Sequence, residues 1–337
     1  MRVCDWIAEF LYSKGIRQVH GLMGGGAAGL NDGFIKQGKI DYICYHHEQG
    51  AGHAAIGESK ITGQIAVVNP TTGCGGTNCA TSVLNAWQDS VPVLFISGNV
   101  RLNTCSGWIN QENHIRIRKY GIQEHHVVDT YASMTKMSHF ITDAREVPIT
   151  LEYAWHLLTD GRPGPVWIDI PGDIQTMAMP EDARHYTGPM TLDPAEYDFD
   201  SIKQMLSTAA RPLVLAGYGI RQSNTVDKFI DFVQRYEIPY VGTYGARDYA
   251  AHEHPLNIGT VGQRGSRAGN FALQNADLLL ILGSSLGASV VGYDPKQFSP
   301  ASFKIMIDID ANELAKPIVH TDINLEMDLR TFFAGML

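Results

Sequence analysis

Short apolar runs alternate with helix-period patterns along the chain, and this alternation restricts the fold more than any other feature. Val3, Trp6, Ile7, Phe10 and Leu11 recur at helical spacing, and Gly15 ends that helix. Runs at 18–22, 42–45, 65–69, 91–97, 126–128 and 166–170 read as strands, and patterns over 48–60, 78–88 and 144–159 read as helices. Strands separated by helices pair in parallel, with helices on both faces of the sheet. The stretch 171–200 is rich in Pro, Asp, Glu, Thr and Met without periodicity and reads as a linker. A second series follows, with strands at 212–216, 239–243, 278–282 and 304–308 and helices at 225–236 and 267–275. The expected fold is α/β, with two doubly wound parallel-sheet domains over residues 1–180 and 190–337. A length of 337 residues also exceeds one ordinary core.

The formal charge is −9, and the basic residues are scattered. Nucleic acid needs a concentrated basic surface, so it is not expected as a partner. No stretch reaches the length of a membrane span. Asp5 and Glu9 interrupt the first apolar residues, so the start reads as an amphipathic helix and not a signal peptide. Cys4, Cys44, Cys74, Cys79 and Cys105 are odd in number and form no CxxC pair, which points to reduced thiols and a cytoplasmic location.

Several short motifs compete. Residues 24–29 match G-x-G-x-x-G, the dinucleotide fingerprint. The ribose-binding acid would be Asp41 or Glu48, and neither ends a strand at the usual place, so a tight strand-to-helix turn is preferred to a nicotinamide site. Residues 283–287 match G-x-S-x-G, but 288–292 make a poor helix start for a nucleophile elbow. A polar turn is preferred there. His47 and His53 are six apart around Glu48, whereas two zinc histidines on one helical face sit four apart. Structural histidines are preferred. Glu48 differs in its setting: an apolar strand runs into it, and Gly50, Ala51, Gly52, Ala54, Ala55 and Gly57 follow. Ligands of open α/β sheets bind at such strand ends. The plainer reading is an N-terminal helix carboxylate favoured by the dipole.

His47-Glu48-Gln49-Gly50-Ala51-Gly52-His53-Ala54-Ala55, Thr71 to Asn78, Asp89-Ser90-Val91-Pro92, Gln111-Glu112 and Gly161-Arg162-Pro163-Gly164-Pro165-Val166 running on to Pro171 occur together and in order. With them the chain resembles the acetolactate synthase-like family of thiamine diphosphate enzymes, over nearly its whole length. The resemblance implies a pyrimidine-binding domain followed by a middle domain. Glu48 then corresponds to the glutamate that bonds a pyrimidine ring nitrogen and favours the imino tautomer, whose nitrogen removes the C2 proton of the thiazolium. Gln111 corresponds to an active-site glutamine, and Gly24, Gly25, Thr72, Gly73 and Asn78 to cofactor-binding positions. The implied chemistry is decarboxylation of a 2-oxo acid and carboligation.

The chain departs from the family at Leu22-Met23, often Tyr-Pro, and at Cys74, commonly Pro. Residues 284–289 carry no charge, unlike the arginine-rich, acidic stretch of flavin-bearing members, so FAD is disfavoured and a vestigial pocket is the alternative. No Gly-Asp-Gly motif occurs. The C-terminal diphosphate-binding domain is therefore expected to be absent or on another polypeptide, with the Mg²⁺ ligands outside this chain. A homodimer or higher oligomer, or a separate diphosphate-binding subunit, would complete the site. A catalytically inactive binding or assembly protein that keeps the fold is the other reading, and a nicotinamide-dependent oxidoreductase is a third. His114, Arg116 and Arg118 read as a solvated basic loop in preference to an anion site.

Overall fold

The computed structural model describes residues 1–188 and 197–337, in two compact units divided after Thr191. The first unit holds strands β1 (Gln18–Gly21), β2 (Asp41–Cys44), β3 (Ala66–Asn69), β4 (Val93–Asn99), β5 (Met137–Phe140) and β6 (Val166–Pro171). They form one sheet in the order β2-β1-β3-β4-β6-β5, every pair parallel. Alternate side chains enter opposite cores. Val67, Leu94, Ile96, Ile168 and Ile170 pack with the helices Val3–Ser13 and Val147–Leu157. Ala66, Val68, Val93, Phe95 and Trp167 pack with Glu48–Thr62 and Ala80–Gln88. The sheet is doubly wound because it is apolar on both faces and needs a helical layer on each.

The second unit repeats the plan. Strands β7 (Pro212–Ala216), β8 (Tyr240–Gly242), β9 (Asn257–Thr260), β10 (Leu278–Leu282), β11 (Phe303–Asp308) and β12 (Ile323–Glu326) form a parallel sheet ordered β12-β11-β10-β7-β8-β9. Leu278, Leu280 and Leu282 face one core, and Leu279 and Ile281 face the other. Phe229, Phe232, Phe332 and Phe333 are fully buried and stack edge-on or tilted in the first of these cores.

The structure differs from the sequence expectation in three respects. Residues 126–128 are not a strand: Val127–Tyr131 is a helix, and Val127 and Tyr131, four apart, bury one of its faces. The edge strands β5, β9 and β12 lack an unbroken apolar run, because at an edge the positions are only half-buried or alternate with solvent. The first part of the expected linker is ordered. Gly172–Thr176 is helical with Ile174 and Gln175 buried, and the chain then pairs back with the N-terminus through Met179 N–H to Met1 O, 2.9 Å. Residues 189–196 of that linker lie outside the described residues. No helix among the described residues is long and apolar enough to cross a membrane.

Phe232→Ala removes a buried ring from the aromatic cluster and is expected to cost about 3–5 kcal/mol in urea unfolding. Phe271→Ala, at an exposed ring, is expected to stay within about 0.5 kcal/mol.

Candidate functional site

Strand β1 lies between β2 and β3, so the connections leaving β1 and β3 diverge and open a crevice at their carboxyl ends. Three segments meet there. The loop after β1 carries Gly24, Gly25 and Gly26. The segment after β2 runs into the helix Glu48–Thr62, capped by His47, whose ring nitrogen accepts from Gln49 N–H. The loop after β3 carries Thr71 to Asn78.

Glu48 is the first residue of its helix and is only 5% exposed. Its Oε2 accepts a hydrogen bond from Asn78 Nδ2 at 2.9 Å. Its other oxygen faces Gly75, where an added Cβ would lie 3.1 Å from Oε1 and 2.6 Å from Thr71 Cγ2. A Cβ at Gly24 would lie 2.5 Å from Thr71 Oγ1 and Cγ2. Side chains at either glycine would therefore fill the space around Glu48 and Thr71. Thr71 Oγ1 is buried there with no hydrogen-bond partner among the described residues. A buried hydroxyl left unpaired is costly and marks a place where a ligand atom can complete the bonding. Cys79 lies behind Glu48. Burial first, and the nearby carboxylate second, push its thiol well above the usual range.

The glycine loop is fixed from below. Gln175 is fully buried, and its Nε2 donates to Gly26 O and Ile170 O, both at 2.7 Å. Thr72 Oγ1 donates to Gly98 O at 3.1 Å, and Gly98 packs against the backbone of Gly26 and Ala27. Gly25 is open, with nothing within 4 Å of an added Cβ. Gly73 has φ +57°, and a Cβ there would overlap the carbonyl of Gln123. Only glycine suits that combination of left-handed backbone and close approach.

The structure brings Glu48 and Asn78 into contact, while Gly24 packs on Thr71, Thr72 bonds Gly98 and Gly73 packs on Gln123. Gln111 is elsewhere, exposed on the helix Ser106–Asn113. Gln123, in a second Gln-Glu pair, is the glutamine whose backbone lies against Gly73. The repeated dipeptide is the sequence signal that could have drawn attention to it. Beside it, a cavity of about 610 Å³ opens at the ends of β4 and β6, lined by Gly25, Asn99, Arg101, Tyr120, Ile122 and Asp173 among others. Asp169, on β6, is completely buried below this cavity. Burial raises its carboxyl to about 6, against the bonds from Ser97 and Asn99 that favour the anion. His114, Arg116 and Arg118 are exposed.

In the second unit, the Gly217 and Gly219 amides already donate to Leu282 O and Gly283 O, at 2.9 and 3.0 Å. After the G-x-S-x-G match the helix Ala288–Val291 is a single turn, Leu286 and not a serine takes the left-handed backbone, and His320 pairs with Asp322. None of these features is the geometry of a nucleophile elbow.

Residues 1–131 match the thiamine pyrophosphate enzyme N-terminal TPP binding domain, and residues 199–336 match the thiamine pyrophosphate enzyme central domain. The acetolactate synthase large subunit of Lactococcus lactis subsp. lactis (strain IL1403) is 34% identical, over 98% of this chain and 56% of that protein. The acetolactate synthase isozyme 1 large subunit of Escherichia coli (strain K12) is 30% identical, over 99% of this chain and 57% of its own length. A probable acetolactate synthase large subunit from Methanocaldococcus jannaschii is 29% identical over the whole chain and 56% of that protein. The chain thus spans a little over half the length of these curated relatives.

Cys44 and Cys74 are exposed, whereas Cys4, Cys79 and Cys105 are buried with thiols pushed up by burial. Alkylation of the native protein at pH 8, mapped by mass spectrometry, is expected to label Cys44 and Cys74 and to spare the other three until denaturant is added.

Proposed function

The chain belongs to the thiamine pyrophosphate enzymes, and we propose that its first domain forms the pyrimidine-binding half of an acetolactate-synthase-type site. The reaction is decarboxylation of a 2-oxo acid with transfer of the fragment to an acceptor carbonyl. One observation carries this reading. Glu48 is buried at the sheet's crossover, with one oxygen held by Asn78 and the other facing a space kept open by Gly24 and Gly75, where Thr71 Oγ1 has no partner.

Those residues fit an aminopyrimidine. Thiamine diphosphate, when bound, supplies the electron sink that loss of CO₂ from a 2-oxo acid requires. The protein's part is to hold a proton at the right atom. Glu48 Oε1 would bond and share a proton with a ring nitrogen, and Asn78 holds the other carboxylate oxygen. Gly24 and Gly75 pack closely on Thr71, and Gly73 on Gln123. Gly25 leaves the approach open, and Gln123, whose carbonyl packs against Gly73, takes the place proposed for Gln111. The groups that hold the diphosphate and Mg²⁺ lie outside residues 1–337. A separate diphosphate-binding subunit supplies them, in an oligomeric, cytoplasmic enzyme. A flavin in the second domain is disfavoured, since residues 284–289 are uncharged.

The test mixes this chain with a protein carrying the family's diphosphate domain, adds thiamine diphosphate and Mg²⁺, and follows pyruvate consumption. Glu48→Gln is expected to lower turnover by roughly 10² or more. Turnover equal to the parent's removes the assignment. Gln123→Ala is expected to lower turnover about tenfold or more and Gln111→Ala to leave it unchanged; the reverse result restores Gln111. Calorimetric titration with the cofactor addresses the second reading, an assembly protein that keeps the fold without the chemistry. Saturable binding that Glu48→Gln does not weaken would favour it.

A further inference from the structure

The end of β4 touches two of the three segments of the site, the loops after β1 and β3. Gly98 N–H donates to Pro70 O at 3.2 Å, Gly98 O accepts from Thr72, and Gly98 packs against Gly26. Asn99 lines the cavity, and its Nδ2 reaches His125 O at 3.4 Å, two residues after Gln123. Val100 O accepts from Gly172 N–H at 3.2 Å. One buried group holds this strand end from the neighbouring strand. Asp169 lies opposite Ser97 in the β4–β6 register. Ser97 and Asn99 are two apart and so share a face. Asp169 Oδ1 accepts from Ser97 Oγ at 2.6 Å, and Oδ2 accepts from Asn99 Nδ2 at 2.7 Å. Trp167 Nε1 donates to the same Ser97 hydroxyl at 2.9 Å.

We infer that Asp169 is a positioning residue whose ionisation sets how the end of β4 holds the Gln123 segment over the Gly73 turn.

The bonding requires such a change. An ionised carboxylate accepts both bonds, and such charge-assisted bonds are short and strong. No cationic side chain pairs with Asp169 among the described residues. The titratable groups around it are Glu124, which accepts from Ser106 Oγ and Tyr120 N–H at 2.9 Å, and the buried Cys105. His125 and His126 adjoin Glu124 in sequence. Neither carboxylate nor thiol offsets the charge of Asp169, so its proton returns readily as the pH falls. Once protonated on Oδ1, the carboxyl donates to Ser97 Oγ, so the Ser97 hydroxyl must turn its own proton away from Asp169. The Asn99 bond then loses its charge assistance. Its amide, shared between Asp169 and the His125 carbonyl, shifts towards His125. The folded group binds its proton more tightly than the unfolded one. It therefore favours the folded state below the unfolded value, and that contribution is lost as pH rises through about 6.

The consequence for catalysis rests on the proposed function; the readout does not, since no cofactor is added. In the isotopically labelled full chain, NMR follows the Asp169 carboxyl carbon, the Trp167 indole N–H, the Asn99 side-chain amide and the Gln123 backbone amide from pH 4.5 to 8. All four are expected to share one midpoint, at about pH 6. A Gln123 midpoint that differs from that of the Asp169 carboxyl overturns the inference in the unmodified protein alone. Asp169→Asn keeps the shape and mimics the protonated form. It is expected to abolish the titration at Trp167, Asn99 and Gln123. His125→Gln is expected to leave it in place. Persistence of the Gln123 titration in Asp169→Asn, or its loss in His125→Gln, would assign the effect to the histidines.

Discussion

Glu48 is held away from water with a single amide bonded to one of its oxygens. A carboxylate in that position is costly unless the surrounding fold supplies partners. The neighbourhood supplies one in Asn78 and reserves space for another. That reservation depends on the sheet order, since only the divergence beside β1 brings the loops after β1, β2 and β3 to one place. The glycines keep the space open, and the buried Gln175 and the end of β4 keep the glycines in place. Removal of any of these supports acts on Glu48 at a distance.

Much of this was legible in the sequence. The central strands are apolar on both faces, so β3, β4, β6, β7, β10 and β11 announce themselves as runs, and alternation with helices then requires parallel pairing. Glu48 could be singled out because an apolar strand and a run of small residues enclose it. The edge strands β5, β9 and β12 could not be read, because half-burial leaves no run, whereas the edge strand β2 was legible from Tyr42 to Tyr45. Val127-Val128 misled as a strand, because two adjacent apolar residues fit either period and only Tyr131 decides for a helix. The ties that matter most, Gln175 to Gly26 and Asp169 to Asn99, join residues 149 and 70 positions apart. No local pattern encodes such pairs. Gln111 and Gln123 sit in the same dipeptide, and only the packing of the Gln123 carbonyl against Gly73 separates them.

The second unit makes a contrast within one architecture. Its sheet also diverges beside its first strand, between β7 and β10, yet the turn amides there are satisfied by the neighbouring strand's carbonyls. The same fold thus carries the buried, unpartnered Thr71 hydroxyl near its crossover in one domain and bonded turn amides at the crossover of the other. The difference comes from a few residues at the strand ends and not from the sheets.

The proposed role of Glu48 is to share a proton with the cofactor's pyrimidine ring. Exchange of the thiamine diphosphate C2 proton for deuterium, followed by NMR in the chain combined with a diphosphate-domain protein and Mg²⁺, measures the step that this sharing accelerates. Exchange is expected to be much faster with the parent chain than with Glu48→Gln. Equal exchange rates for the two, with the cofactor bound in both, would contradict the account.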